Sequence, residues 1–325
     1  MLTQPNLKRV NRIASLGILP AMTLVIVVFS RFAGSDGPAP EPPRNGLLVV
    51  ANLRTESLTL ANLESGEQRH LALPGPPHEM VAPEGRLYVT LGRGEALVEV
   101  ELSSAAILRV LPLEGEPHGI AVWGNNLIVT LDKVNEAVVL DRVSLTELRR
   151  YPTGETPHVV AVSGEAVLVT DSRGDMLRQL EPGTKSIRTG GQPEGIAITG
   201  GYAATADYLG GTLTVARAGD LSGASSLSVG AAPVRVTALA GGQVLVSLQG
   251  RGEVALVDLA TLSVKRRLKT AARPDGLCVD PDGRNFAVAS NHEGRVEVFS
   301  TEAWKSSLQL NLDPGLGACL WLAGR

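Results

Sequence analysis

Seven prolines divide most of the chain into units of nearly constant length. The intervals between them are 36 to 41 residues, and the prolines are Pro77, Pro117, Pro157, Pro193, Pro233, Pro274 and Pro314. Each one opens a short apolar run, which a glycine-rich turn and a second apolar run follow. This spacing identifies a repeat protein with units of about 40 residues.

One unit, residues 117–156, contains four strand-like segments, at 119–122, 127–131, 137–140 and 147–151. The first is uniformly small and apolar, which suits a strand buried on both faces near an axis. The fourth carries Arg149 and Arg150, which suit a solvated rim. Four short antiparallel strands in each unit predict an all-β fold, a β-propeller with one four-stranded blade per repeat.

The two ends of the repeat region complement each other. After Pro314 there is room for one strand, near residues 317–322, and before Pro77 there is room for three, near residues 47–52, 57–61 and 68–73. One strand and three strands complete a blade, which would leave no blade with an unpaired inner edge. We therefore predict seven blades, six continuous in sequence and one composite blade built from both termini.

The N-terminal residues 1–33 lie outside the repeats and have the layout of a membrane-targeting segment. Three basic residues precede the uncharged, mostly apolar stretch 13–29, and Arg31 closes it. We interpret the stretch as an uncleaved helical anchor; a cleaved secretory signal is the alternative. The basic residues on its N-terminal side predict a propeller outside the cytoplasm, tethered to the inner (cytoplasmic) membrane, or secreted or periplasmic if the segment is cleaved.

Residues 34–44 contain four prolines and favour extended polyproline geometry. We expect them to be a linker between the anchor and a propeller domain at residues 45–325. The formal net charge of the chain is −3, with 30 basic and 33 acidic residues and no block of either sign. The sequence therefore gives no indication of nucleic-acid binding.

Three segments carry a recognisable repeat pattern: Leu-Tyr-Val-Thr of residues 87–90 in a second strand, residues 257–262 in a third strand, and Asp-Pro-Asp-Gly-Arg of residues 280–284 in a first turn. They resemble the corresponding parts of the repeat in the YVTN-type seven-bladed β-propellers of bacterial and archaeal surface and periplasmic proteins. The resemblance extends over residues 45–325 and implies the fold far more than a function. Residues 234–236 depart from the pattern because they lack the glycine that follows the proline.

The residues after the repeat prolines should form a ring around one end of the central channel, because the loop that enters the first strand and the loop between the second and third strands share that end. The ring residues are His78, His118, His158, Glu194, Val234, Asp275 and Gly315. The companion loops contribute Asp132, Lys133, Asp171, Arg173, Asp207, Tyr208, Gln249, Asn291 and His292.

Three histidines at one repeat position in successive blades suggest a metal site. His78, His118 and His158 are candidate ligands of a divalent metal, and Glu194 or Asp171 could add a ligand or act as a general base. The alternative is a polar lining for a small ligand or peptide. The candidate ligand-binding face consists of His78, His118, His158, Glu194, Asp275, Asp132, Asp171, Arg173, Asp207, Tyr208 and His292.

Two functional classes remain open. We favour a non-catalytic interaction module that binds a protein, peptide or small ligand through the histidine-bearing face, with no catalytic residue and no certain cofactor. The alternative is a metal-assisted hydrolase or lyase that uses the same face, as lactonases and streptogramin lyases with propeller folds do.

The two cysteines fall at nearly equivalent repeat positions, on the innermost strands of neighbouring blades. Cys278 follows Pro274 by four residues, and Cys319 follows Pro314 by five. An exported chain permits a disulfide between them, whereas the usual separation of inner strands in different blades favours two buried free thiols.

Overall fold

The computed structural model describes residues 46–324. They form seven four-stranded antiparallel sheets arranged as the blades of a propeller. Blade 1 contains β1 (Leu47–Asn52), β2 (Ser57–Asn62), β3 (Gln68–Ala72) and the last strand of the chain, β28 (Leu316–Leu322). The predicted anchor and linker lie outside the described residues. Within 46–324, no helix is long and apolar enough to cross a membrane.

The other blades are continuous in sequence, and each begins with its innermost strand. Blade 2 has β4 (Pro77–Val81), β5 (Arg86–Leu91), β6 (Ala96–Glu101) and β7 (Ala106–Pro112). Blade 3 has β8 (Pro117–Trp123), β9 (Asn126–Leu131), β10 (Glu136–Asp141) and β11 (Glu147–Pro152). Blade 4 has β12 (Pro157–Ser163), β13 (Ala166–Asp171), β14 (Met176–Glu181) and β15 (Lys185–Arg188).

Blade 5 has β16 (Pro193–Thr199), β17 (Tyr202–Asp207), β18 (Thr212–Arg217) and β19 (Ser225–Ser228). Blade 6 has β20 (Pro233–Ala238), β21 (Gln243–Leu248), β22 (Glu253–Asp258) and β23 (Ser263–Lys269). Blade 7 has β24 (Pro274–Val279), β25 (Asn285–Ser290), β26 (Arg295–Ser300) and β27 (Ser306–Asn311). Short 3-10 turns at Pro83–Gly85 and Ala240–Gly242 join the first two strands of blades 2 and 6.

The predicted composite blade is confirmed, with one correction. β28 pairs with β1 from Leu47 opposite Leu322 to Asn52 opposite Leu316. In the complete blades, the repeat proline occupies the place that Leu316 takes here; Pro117, for example, pairs with Leu131 at the end of its neighbouring strand. Because the last strand begins at Leu316, Gly317 takes the ring position of blade 1, and the expectation that Gly315 holds it is wrong.

Apolar side chains of adjacent blades fill every space between the blades in the described ring. The second strands supply much of this core, and Leu87, Leu127 and Leu168 are fully buried. A second strand is covered on both of its faces by the neighbouring blades, so its sequence is an apolar run without strict alternation. This packing fixes each inner strand relative to the next and thereby positions the channel ends.

Candidate functional site

The three ring histidines lie in irregular segments at the start of the inner strands. Regular pairing is interrupted between Pro77 and Met80 of β4, and at the same place in β8 and β12. A β-bulge of this kind redirects side chains that a regular strand would turn sideways. The repeat proline therefore places His78, His118 and His158 at one end of the channel.

Buried threonines hold these irregular segments in place. The hydroxyl of Thr90 donates to the carbonyl oxygen of His118 in the next blade at 2.5 Å. The hydroxyl of Thr130 likewise donates to the carbonyl oxygen of His158 at 2.7 Å, and it accepts from the backbone N–H of Gly119 at 2.7 Å. Each threonine thus fixes a histidine backbone to the preceding blade.

The three imidazoles pack against one another. Their ring centroids are 4.4 Å apart between His78 and His118 and 3.7 Å apart between His118 and His158, and the second pair is stacked. His118, in the middle, is 8% exposed, and its Nδ1 is buried without a hydrogen-bond partner. A Cβ atom at Gly92 would lie 2.8 Å from the His78 ring, so glycine at this position allows the ring its present place.

Glu194 continues the row of histidines into blade 5. Its Oε2 lies 3.3 Å from Nε2 of His158, and the Nδ1 of the same ring lies 3.2 Å from the carbonyl oxygen of Glu194. The other carboxylate oxygen of Glu194 accepts from the Ser172 hydroxyl at 3.0 Å and from the Gln192 amide at 2.7 Å. Both His158 and Glu194 are therefore held in fixed orientations.

An ionic group crosses the channel beside the ring. Arg235 of blade 6 pairs with Glu79 of blade 2 on the far side of the channel, and its Nε lies 3.5 Å from Oδ1 of Asp275. Asp275 also accepts from the side-chain amide of Gln249 at 3.0 Å. We call this end of the channel, with His78, His118, His158, Glu194, Val234, Asp275 and Gly317 around it, the histidine mouth.

Burial controls the charge of the mouth. It lowers the pKa of His78 to about 4, with Glu79 opposing this effect and His158 and Arg235 adding to it. Burial also lowers the pKa of His118 well below its usual value, and the neighbouring imidazoles add to the shift. Both rings are thus neutral at pH 7.

Burial acts in the opposite direction on the acids. It raises the pKa of Asp132 to about 8, and the nearby charges of Glu116 and Glu194 add to the shift. The Oδ1 of Asp132 is buried without a hydrogen-bond partner. Burial raises the pKa of Asp275 as well, against the attraction of Arg235. Burial would lower the pKa of Arg235 itself, but Glu79 and Asp275 outweigh it, so the guanidinium stays charged.

Asp171 and Asp207 do not belong to the mouth, contrary to the expectation from sequence. Asp171 is fully buried and accepts from the backbone N–H of Gly154 and from Arg178, both at 2.9 Å. Asp207 is also fully buried, and its Oδ2 accepts from the backbone N–H of Gly190 at 3.0 Å. Each is the last residue of a second strand and ties that strand to the loop that enters its own blade.

The remaining predicted residues lie at the rim. Arg173 and His292 are exposed on the loops that follow β13 and β25, and Tyr208 is partly buried after β17. In blade 4, the residue after the second strand that contacts the ring is Ser172, whose hydroxyl donates to Glu194. The predicted residues on either side of it, Asp171 and Arg173, do not take this place. Ser172 directly follows the second strand, as Asp132 does in blade 3.

Two central residues, Glu79 and Arg235, are absent from the site predicted from sequence. Both are the second residue after a repeat proline, where Gly119, Gly195 and Gly276 stand in other blades. A charged side chain at a position that faces the channel is the signal that could have revealed them. The departure of residues 234–236 from the repeat pattern marks one of the two.

Two cavities adjoin the mouth. One of about 130 Å³ lies inside the channel and is lined by Glu79, Arg235 and small side chains of the inner strands. Another of about 410 Å³ lies beside His78 and is lined by Leu53, Pro74 and Pro76 among others. Within residues 46–324, no group of three or more His, Cys, Asp or Glu side chains has the arrangement of a metal site.

The structure joins Cys278 and Cys319 in a disulfide. Their Cα atoms are 5.7 Å apart, which is within the range for such a bond. The separation of inner strands that favoured free thiols is smaller here, because β24 and β28 pack directly against each other. The bond links blade 7 to the C-terminal strand that completes blade 1.

Comparison with known proteins identifies the fold only. No protein-family model matches the chain, and no curated protein gives a significant match. A functionally unknown protein from Desulfotomaculum acetoxidans superposes with a TM-score of 0.71 at 11% identity, over 86% of this chain and 99% of that one.

Two solved structures with functional descriptions share the same architecture. A candidate 6-phosphogluconolactonase from Bacteroides fragilis has a TM-score of 0.68 at 14% identity, over 86% of this chain and 98% of its own. Virginiamycin B lyase from Staphylococcus aureus has a TM-score of 0.63 at 9% identity, over 73% and 84%. At these identities the likeness extends to the propeller fold and not to a reaction.

Proposed function

We propose that the chain is a membrane-tethered, extracytoplasmic β-propeller of the YVTN type that binds a partner or ligand at the histidine mouth without transforming it. The tether is the apolar stretch 13–29, and residues 34–44 are the spacer. The propeller fold itself does not distinguish binding from catalysis, so the proposal depends on the side chains of the mouth.

The observation that supports binding over catalysis is that the mouth is already held together by its own contacts. The rings of His118 and His158 stack on each other, and both nitrogen atoms of His158 face Glu194. The carboxylates of Glu79, Glu194 and Asp275 each have a partner within the chain. Such a preorganised polar surface loses little conformational entropy when a ligand binds.

The direction of β1 supports a mouth that faces away from the membrane. β1 begins at Leu47, opposite the end of β28, and finishes at Asn52, opposite Leu316. Leu316 is at the mouth end of the inner strand, so Gly46 lies at the other end of the channel. A tether that enters there leaves the mouth open to partners in the surrounding space.

Affinity capture with the full-length chain, purified in detergent, tests the proposal. The wild type is compared with a variant that carries His78→Ala, His118→Ala and His158→Ala together. His70→Ala is the matched control, because His70 is exposed on the outer strand β3. We expect the triple variant to lose bound partners and the control to retain them, with thermal melts verifying that both are folded.

A chelator separates this proposal from the metal-assisted hydrolase or lyase that the same face could host. Binding through polar groups alone continues in the presence of EDTA. Loss of capture on chelation, restored by a divalent metal, would instead support the metal site at His78, His118 and His158. Capture that is unaffected by the triple variant would place the function elsewhere on the molecule.

A further inference from the structure

The histidine mouth contains buried polar atoms that the chain itself leaves without partners. Nδ1 of His118 is one, in a residue that is 8% exposed. Oδ1 of Asp132 is another. An unpaired buried polar atom costs about 1 to 3 kcal/mol, so native structures rarely retain one without a reason. A bound group that supplies N–H donors would satisfy Oδ1 of Asp132, and it would satisfy Nδ1 of His118 in the tautomer that carries the ring proton on Nε2.

The charges around these atoms specify the sign of that group. The carboxyl groups of Glu79, Glu194 and Asp275 face one guanidinium, that of Arg235. These three carboxyl groups outnumber the one guanidinium without Asp132 being counted. The lysine of the adjacent loop, Lys133, is paired with Glu116. The mouth therefore has more acidic than basic groups, and a cation would complement it.

The space beside the mouth suits a short hydrocarbon chain. The cavity of about 410 Å³ next to His78 is lined by Leu53, Pro74 and Pro76 and also by the charged residues Glu56 and Arg93. Walls that combine apolar surface with a few polar groups are typical of sites for small organic ligands. A cation bound at the row of histidines could extend its carbon chain into this cavity.

We propose that the histidine mouth binds a small organic cation through a primary ammonium group. The ammonium has three N–H donors and no acceptor, which matches the unpaired Oδ1 of Asp132 and the Glu194 carboxylate beside His158. An anion would add to the existing excess of negative charge. The inference rests on the proposed function and names the ligand class of the same site.

Three probes with the same carbon chain test the proposal: n-butylammonium, 1-butanol and butyrate. Binding to the full-length chain at pH 7 is followed by the imidazole NMR signals of histidine. We expect n-butylammonium to shift the signals of His78, His118 and His158 in a saturable way that weakens with salt. The neutral and anionic probes should leave those signals unchanged.

Glu194→Gln keeps the shape of the side chain and removes its charge, and it should weaken n-butylammonium binding roughly tenfold. Glu84→Gln is the control, because Glu84 lies in the exposed turn at the opposite end of the channel. Equal effects of the two variants, binding of butyrate, or no saturable shift with the amine would overturn the proposal. So would Zn²⁺ producing the imidazole shifts while the amine does not.

These results are separable from those of the capture experiment. If the triple histidine variant loses its partners while the amine fails to bind, the mouth is the binding site and the ligand class is wrong. If neither depends on the histidines, both the ligand class and the site are wrong.

Discussion

His78 and Asp132 respond to pH in opposite directions, because burial disfavours the charged form of each. The folded pKa of His78, about 4, lies below the unfolded value of 6.5. The neutral ring therefore contributes its full stability above pH 6.5, and this contribution is lost as the pH falls towards 4. For Asp132 the folded pKa is the higher one, so its contribution is lost as the pH rises.

Replacing His78 by Gln should reduce the loss of stability on acidification. The wild type should lose on the order of 3 kcal/mol from this one group between pH 6.5 and 4, at 1.36 kcal/mol per pKa unit. Urea unfolding at a series of pH values measures the slope, with His292→Gln as the exposed control. Identical slopes in the wild type and His78→Gln would contradict the buried position of this ring.

Replacing Asp132 by Asn should have the opposite effect. The carboxyl group takes up a proton on folding, because its pKa rises from 3.8 to about 8. Its contribution to stability is present below pH 3.8 and decreases as the pH rises through 8. The variant should lack this decrease in unfolding free energy between pH 5 and 8.5. A parallel decrease in both proteins would mean that the Asp132 carboxyl is solvated.

At the scale of the strand, the threonines next to last in the second strands of blades 2 and 3 connect the fold to the mouth. Thr130→Val keeps the shape and removes the hydroxyl, which leaves the N–H of Gly119 and the carbonyl of His158 each short of a hydrogen bond. We expect a loss of about 1 to 3 kcal/mol of unfolding free energy and a changed ring-current shift at His158. Thr130→Ser should retain both properties; if it behaves like Thr130→Val, the hydroxyl is not responsible.

The strands themselves were largely predictable from the sequence. Residues 47–52 were predicted as a strand and are one, since both faces of such a segment are apolar and turn residues limit it. The ring of histidines was also predictable, because the repeat proline places the next residue at the same point in blades 2, 3 and 4. Neither prediction required knowledge of contacts between blades.

The contacts of the mouth could not be predicted in the same way. The ion pair between Arg235 and Glu79 joins residues 156 positions apart and depends on the width of the channel. Asp171 was predicted to lie in the loop between the second and third strands at the mouth, but it is the last residue of β13 and its side chain turns towards Gly154 and Arg178. Successive side chains of a strand point in opposite directions, so neighbouring residues can have different surroundings. Ser172 contacts Glu194 of the ring, whereas Asp171, one position earlier, is buried away from it.

At the scale of the whole molecule, closure of the ring is secured twice, by the pairing of β1 with β28 and by the Cys278–Cys319 disulfide. The bond closes a loop with a sequence separation of 41 residues, for which the chain-entropy estimate is about 4 kcal/mol. Replacing both cysteines by Ser should lower the melting temperature, and reductant should lower that of the wild type to a similar value. A wild-type melting temperature unaffected by reductant would show that the bond does not contribute to closure.

The ring also brings distant parts of the sequence into one surface, and this gathering is the basis of the proposed function. The imidazole NMR signals of the full-length chain, recorded with and without its captured partner, test it directly. We predict that the partner perturbs the signals of His78, His118 and His158 together and leaves that of His70 unchanged. Perturbation of His70 alone, or of none of the three mouth histidines, would contradict a binding site at the histidine mouth.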